Sequence, residues 1–180
     1  QKVIAMLRLE DFIREIPDFP IPGILFRDIT TLIQDGAAYR QAIEQMAGAV
    51  ARFGKIDVIA APEARGFIFA APVAFQLDLP LIPIRKPGKL PHKTVTYTYE
   101  LEYGSDSLQM HADAIKPGMK VVLIDDLLAT GGTIRACREM IEREKGQVVG
   151  AAFLMELAGL KGREKLPGLN VSTIISYPGA

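Results

Sequence analysis

Val121-Val122-Leu123-Ile124-Asp125-Asp126-Leu127-Leu128-Ala129-Thr130-Gly131-Gly132-Thr133 decides how the chain is read. An aliphatic, β-branched run ends in two carboxylates, then a small-residue loop opens a segment with helical spacing. That segment spans 131–145 and sets Ile134, Cys137 and Ile141 on one face. Strands apolar on both faces and separated by helices imply a mainly parallel sheet. Further strands are expected at 56–60, 81–84, 148–155 and 171–175, and helices at 37–53 and 66–77. A short helix is expected over 9–16, stopped by Pro17, Pro20, Pro22 and Gly23, which make 17–25 an ordered loop. The helix at 66–77 is apolar on nearly every side, so its phenylalanines, Phe67 to Phe75, read as core.

The stretch from Pro87 to Asp113 breaks this rhythm. Val95, Tyr97, Tyr99, Leu101 and Tyr103 alternate with Thr94, Thr96, Thr98, Glu100 and Glu102, a period of two that reads as a hairpin arm with one exposed face. The fold class is therefore α/β. The 180 residues fit one domain at about 150 per domain.

Composition excludes several functions. Lys plus Arg number 21 and Asp plus Glu number 21, a zero formal charge that argues against a general nucleic-acid or membrane-surface binder. Hydrophobic residues make up 49% of the chain, enough for a sizeable core. The one cysteine, Cys137, pairs with no other in the chain and reads as core. His92 and His111 lie nineteen positions apart without a partnering Cys or His, so no zinc site is expected. No run of about 18 apolar residues and no secretory leader pattern is present, so a cytoplasmic protein is expected.

In open α/β sheets, ligands sit beyond the carboxyl ends of strands, and three such loops stand out. In the first, backbone N–H groups at the helix start and the hydroxyls of Thr130 and Thr133 make a phosphate cradle, with Gly131 and Gly132 allowing close approach. No Lys-Ser/Thr follows the glycines, so it is not an ATPase loop. Two carboxylates beside a phosphate repel it unless they face hydroxyls or a metal. A phosphorylated sugar satisfies both needs; a plain strand–loop–helix corner with an acidic cap is the bland alternative. The second loop, Ala61-Pro62-Glu63-Ala64-Arg65-Gly66, offers an arginine to a phosphate or a base, or simply a surface turn. The third carries Arg85, Lys86, Lys89 and Lys93 without an acid, and Glu100, Glu102, Asp106 and Asp113 follow. It reads as a solvated turn or as the base of a flap that meets an anion. Lys161-Gly162-Arg163-Glu164-Lys165 reads as a solvated turn.

Residues 121–133 resemble the phosphoribosyl-diphosphate (PRPP) fingerprint of the type I phosphoribosyltransferase family. Pro17-Asp18-Phe19-Pro20, Phe26-Arg27-Asp28, Glu63-Ala64-Arg65-Gly66, Arg85-Lys86-Pro87-Gly88-Lys89-Leu90-Pro91 and Glu102-Tyr103-Gly104 are similar to its adenine branch. The resemblance implies that fold over 1–180, with an N-terminal hood at about 1–35 and a hairpin flap at about 86–113. It implies conversion of adenine and PRPP to AMP and diphosphate, with Mg²⁺ as cofactor and a homodimer as the assembly. The roles it implies are these. Ala129, Thr130, Gly131, Gly132 and Thr133 hold the 5′-phosphate. Asp125 and Asp126 meet the ribose hydroxyls, directly or through Mg²⁺ and water. Glu63, Ala64, Arg65 and Gly66 bind diphosphate, in a loop where a cis non-proline peptide is frequent, with Arg85, Lys86 and Lys89 contributing charge. Leu25, Phe26, Arg27 and Leu127 form the adenine slot, Phe26 stacking on the ring. Glu102 accepts a proton, Arg65 lies near base or diphosphate, and Tyr103 helps close the flap. A xanthine, guanine or hypoxanthine transferase is the alternative on the same scaffold. A PRPP-sensing regulator without turnover is the alternative from another class, disfavoured by the zero net charge.

Overall fold

The expected apolar runs assemble into one sheet. A computed structural model of the chain describes residues 6–100 and 104–179. Strands β3 (Val58–Pro62), β4 (Leu81–Ile84), β7 (Lys120–Leu128), β8 (Gln147–Leu157) and β9 (Asn170–Tyr177) lie in the order β4-β3-β7-β8-β9. Every neighbouring pair is parallel. β7 lies in the centre, and its side chains alternate between two cores. Val122 and Ile124 join the core under helices α2 (Gly36–Ala51) and α3 (Arg65–Gln76). Val121 and Leu123 join the core under α4 (Gly132–Arg143). Burial on both faces explains the unbroken aliphatic run.

β7 is longer than its sequence suggests. It runs past the two acids to Leu128, because Leu127 and Leu128 stay in register with Met155 and Glu156 of β8. α2 starts where Asp35 caps it, accepting from the N–H groups of Ala37 and Ala38 at 3.0 and 2.9 Å. The flap hairpin forms as its alternation predicts. β5 (Thr94–Glu100) pairs antiparallel with β6 (Ser105–His111), from Thr94 opposite His111 to Glu100 opposite Ser105. Its inner side chains Val95, Tyr97 and Tyr99 pack on the α4 core, while Thr96, Thr98 and Glu100 are exposed. Tyr97 donates to Glu139 and lies under the Arg143 guanidinium at 4.4 Å. Leu101, Glu102 and Tyr103 lie outside the described residues.

Two expectations need correction. The helix at 9–16 is one tight turn, Leu9–Phe12, followed by strand β1 (Arg14–Pro17), which pairs antiparallel with β2 (Leu25–Asp28). Eight residues are too few to sustain a helix against a better pairing. Here the pairing sets opposite charges face to face, Arg14 against Asp28 and Glu15 against Arg27. The short helix α1 (Thr30–Gln34) then leads into α2. In α3 the buried stripe is Gly66, Phe69, Ala70, Val73 and Ala74. Phe75 falls off that stripe and is 90% exposed, so it is not core. Among the described residues no helix is long and apolar enough to cross a membrane.

Asp28 ties the β1–β2 hairpin to α1. It accepts from the Thr30 hydroxyl at 2.6 Å, the Thr30 N–H at 2.9 Å and Arg14 Nη2 at 2.6 Å. The Thr30 hydroxyl first, and then Arg14, draw its carboxyl from the usual 3.8 down to about 2. A depressed folded value stabilises the fold above the unfolded value, and that contribution is lost as pH falls toward 2. Denaturant melts should therefore show wild type more stable than Asp28→Asn near neutrality, with the gap closing in that acid window. A gap independent of pH would contradict the assignment.

Candidate active site

Two strand-to-helix corners stand side by side at the carboxyl end of the sheet. β3 turns through residues 63–64 into α3, and β7 turns through 129–131 into α4. A cavity of about 190 Å³ opens there, lined by Arg65, Asp125, Asp126 and residues 127–134. The sequence-predicted cradle and acid pair thus share one cavity with Arg65. Gly131 sits at φ 79° just before α4, a backbone state that glycine adopts without strain.

The acids lie inside the strand, and each has a distinct environment. Asp126 is 3% exposed and pairs with Arg65, Nε to Oδ2 at 2.7 Å. Asp125 accepts the Asp126 N–H on Oδ1 at 2.8 Å. A Cβ on Gly66 would stand 3.0 Å from that same oxygen and 3.3 Å from the Ile124 carbonyl, so the start of α3 needs a residue without a side chain. Burial, and next the neighbouring Asp126, raises the Asp125 carboxyl well above the usual carboxylate range. Asp125 accepts the Asp126 N–H, and sugar hydroxyls or a cation would offer it further partners.

The second and third loops are joined to each other. The Glu63–Ala64 peptide is cis. Glu63 accepts from Arg85 Nε at 2.5 Å, bringing the two loops together. Arg85 also exchanges backbone hydrogen bonds with Gln109 of β6, at 2.8 and 2.7 Å. Lys86 pairs with Asp106 on the flap, while Lys89 is exposed. Arg85 is thus placed at the 63–66 loop, whereas Lys86 is engaged at the flap.

The hood supplies an aromatic wall. Phe26 stands edge-on to Phe19, centroids 5.1 Å apart, with the Arg65 guanidinium 6.0 Å from its ring. Arg65 therefore bridges the acid pair and the Phe26 wall. Strand alternation sends Arg27 elsewhere: it pairs with Glu15 and stacks on Tyr177 at 3.5 Å, leaving its backbone beside Phe26. Leu127 lines the cavity next to Asp126. Glu102 and Tyr103, the expected flap residues, lie outside the described residues.

Sequence reasoning missed Glu156 and Arg163. The 161–165 segment is not simply solvated: Gly162 is buried, and Arg163 donates from Nε and Nη2 to the two Glu156 oxygens, both at 2.8 Å. The signal was an acid in the apolar strand Phe153-Leu154-Met155-Glu156-Leu157, since a buried charge demands a partner.

Residues 30–175 match the family model described as the phosphoribosyl transferase domain. The chain belongs to that family. Among curated relatives, the adenine phosphoribosyltransferase of Desulfitobacterium hafniense is 54% identical over 171 residues, covering 95% of this chain and 98% of the relative. That of Streptococcus thermophilus is 53% identical over 173 residues, covering 96% and 100%. Among solved structures, the adenine phosphoribosyltransferase of Thermoanaerobacter pseudethanolicus is 51% identical at a TM-score of 0.90, covering 94% of this chain and 98% of that one. The Saccharomyces cerevisiae enzyme, solved with an imino-altritol bisphosphate and adenine, is 36% identical at 0.85, covering 92% and 96%. The fold is the type I phosphoribosyltransferase fold, as the resemblance implied.

In this phosphoribosyltransferase, removing Arg65 leaves Asp126 buried and unpaired. Arg65→Ala should lower unfolding free energy by about 1–3 kcal/mol. Most of the loss should vanish when Asp126→Asn is combined with it in a double-mutant cycle. Additive losses would show that the two side chains do not act as a pair.

Proposed function

We propose that the protein transfers the 5-phosphoribosyl group of PRPP to N9 of adenine, releasing diphosphate and forming AMP. The observation that carries this reading is the single junction at Arg65, which unites a phosphate cradle, a buried and a half-buried carboxylate, and an aromatic wall. Near full-length relatives named adenine phosphoribosyltransferase support it.

The roles this reading assigns draw on the geometry of the described residues and, for Glu102 and Tyr103, on the family resemblance alone. The backbone N–H groups and hydroxyls of residues 129–133 receive the 5′-phosphate at the start of α4. Asp125 and Asp126 take the ribose hydroxyls, and their charge favours the cationic, oxocarbenium-like sugar formed as the bond to diphosphate breaks. Residues 63–66, with Arg65 and the nearby Arg85, face the leaving diphosphate; Lys86 and Lys89 add positive charge on the same loop. Leu25, Phe26, the Arg27 backbone and Leu127 hold adenine, with Phe26 against its ring. Glu102 accepts the proton lost from the base, and Tyr103 helps the flap exclude water, which competes for C1′.

Among the described residues no group of three or more His, Cys, Asp or Glu side chains could hold a metal alone. Asp125 and Asp126 nonetheless suit Mg²⁺, which keeps several waters and takes one or two carboxylates plus substrate phosphates. When bound, Mg²⁺ neutralises charge on the departing diphosphate. The protein acts as a cytoplasmic homodimer, with part of the 85–89 loop near the partner's site.

Incubation with PRPP, Mg²⁺ and each purine in turn should yield AMP and diphosphate from adenine, with far slower turnover of hypoxanthine, guanine and xanthine. Absence of AMP would overturn the proposal. Glu102→Gln should cut kcat by about 10²-fold or more while leaving PRPP binding nearly intact. Equal loss of both would remove Glu102 from the proton-accepting role.

A further inference from the structure

The cradle is braced from outside by a part of the chain that no step above uses. Glu156 stands in register with Leu128, the last residue of β7 before the cradle, and is only 5% exposed. Beyond it the chain makes two tight turns, Ala158–Leu160 and Gly162–Lys165, hinged at Lys161 in the left-handed region at φ 54°. Arg163 returns to Glu156 through the two 2.8 Å bonds already described. It also donates to the Val171 carbonyl at 3.0 Å and the Thr173 hydroxyl at 3.2 Å, fixing the turn to both β8 and β9.

That return presses the Gly162 backbone onto the cradle. A Cβ on Gly162 would stand 2.4 Å from the Ala129 carbonyl and 2.9 Å from Leu128 Cδ1. A Cβ on Gly131 would stand 2.5 Å from the Gly162 carbonyl. Two backbones therefore meet face to face with no room for a side chain on either. One of them carries the N–H groups that the phosphate needs, and their direction is set by the residue that Gly162 touches. Donors fixed in advance bind tightly because no ordering cost remains at the moment of binding.

We propose that Arg163, through Glu156, is a positioning residue for PRPP: it seats Gly162 against residues 128–131 and so fixes the amides that hold the 5′-phosphate. This rests on the reading that residues 129–133 are the phosphate site. A role in stability alone would lower the melting temperature without separating the two substrates; a positioning role separates them.

The test measures ribose 5-phosphate and PRPP binding by calorimetry, and KM and kcat for PRPP and adenine, in Gly162→Ala, Arg163→Ala and Arg163→Lys. Gly162→Ala should weaken ribose 5-phosphate binding and raise the PRPP KM by about 10- to 100-fold, the scale of a misplaced contact of about an ångström. The adenine KM should change by less than about twofold, since the hood wall is untouched. Arg163→Lys keeps the charge but not the two-pronged bond, so it should fall between wild type and Arg163→Ala. Glu164→Gln, exposed on the same turn, should behave as wild type. If Arg163→Ala does not fold, Gly162→Ala and Arg163→Lys still decide the matter. Folded variants that bind ribose 5-phosphate as wild type does, or that raise both KM values together, overturn the proposal. Wild type that binds neither ribose 5-phosphate nor PRPP overturns the phosphate-site reading, and the proposal with it.

Discussion

Two consecutive carboxylates near the end of a buried central strand impose a cost that the surrounding structure has to meet, and the way it does so shapes the site. Asp126 is answered by Arg65 at 2.7 Å, which fixes the first residue of α3 against β7. Asp125 accepts a backbone N–H and lies close against the start of α3, where Gly66 leaves no room for a side chain, and its carboxyl is raised by burial and by its neighbour. An acid left in that state is poor as a stabilising element, because a buried charge without a full set of partners costs free energy. It is well suited to a ligand that brings hydroxyls and a cation. Arg65 in turn faces the Phe26 ring, so the compensation for the acids also joins the hood to the sheet.

What could be read in the sequence depended on whether a constraint was local. The β7 run shows its burial because both faces are apolar, and the hairpin shows its single wet face through alternation of Thr with Val and Tyr. The acids and glycines of 125–132 announce a ligand corner because few other needs place those residues together. The β1–β2 hairpin was hidden, since its cross-strand charges, Arg14 with Asp28 and Glu15 with Arg27, lie fourteen and twelve residues apart. The exposure of Phe75 was hidden too, because an all-apolar helix does not declare which side meets the sheet. The turn at 161–165 reads as charged and solvated until the partner of Arg163 is known, and that partner is a lone acid in an apolar strand.

The zero net charge acquires a spatial meaning in the fold. Of the basic residues in the third loop, Arg85 is held by Glu63 and Lys86 by Asp106, while Lys89 and Lys93 are exposed. Tyr99 donates to the same Asp106 at 3.2 Å, from the inner face of the flap that packs on α4. These contacts run from the 63–66 loop through Arg85, then Lys86 and Asp106, to the flap, and from the flap to the helix whose first turn is the cradle. The 63–66 loop and the start of α4 are thus tied to the flap from opposite sides, one by ion pairs and the other by packing. The 63–66 loop and the flap are in this way linked by charge, whereas the 129–131 corner is held by backbone contact at Gly131 and Gly162, which salt does not screen.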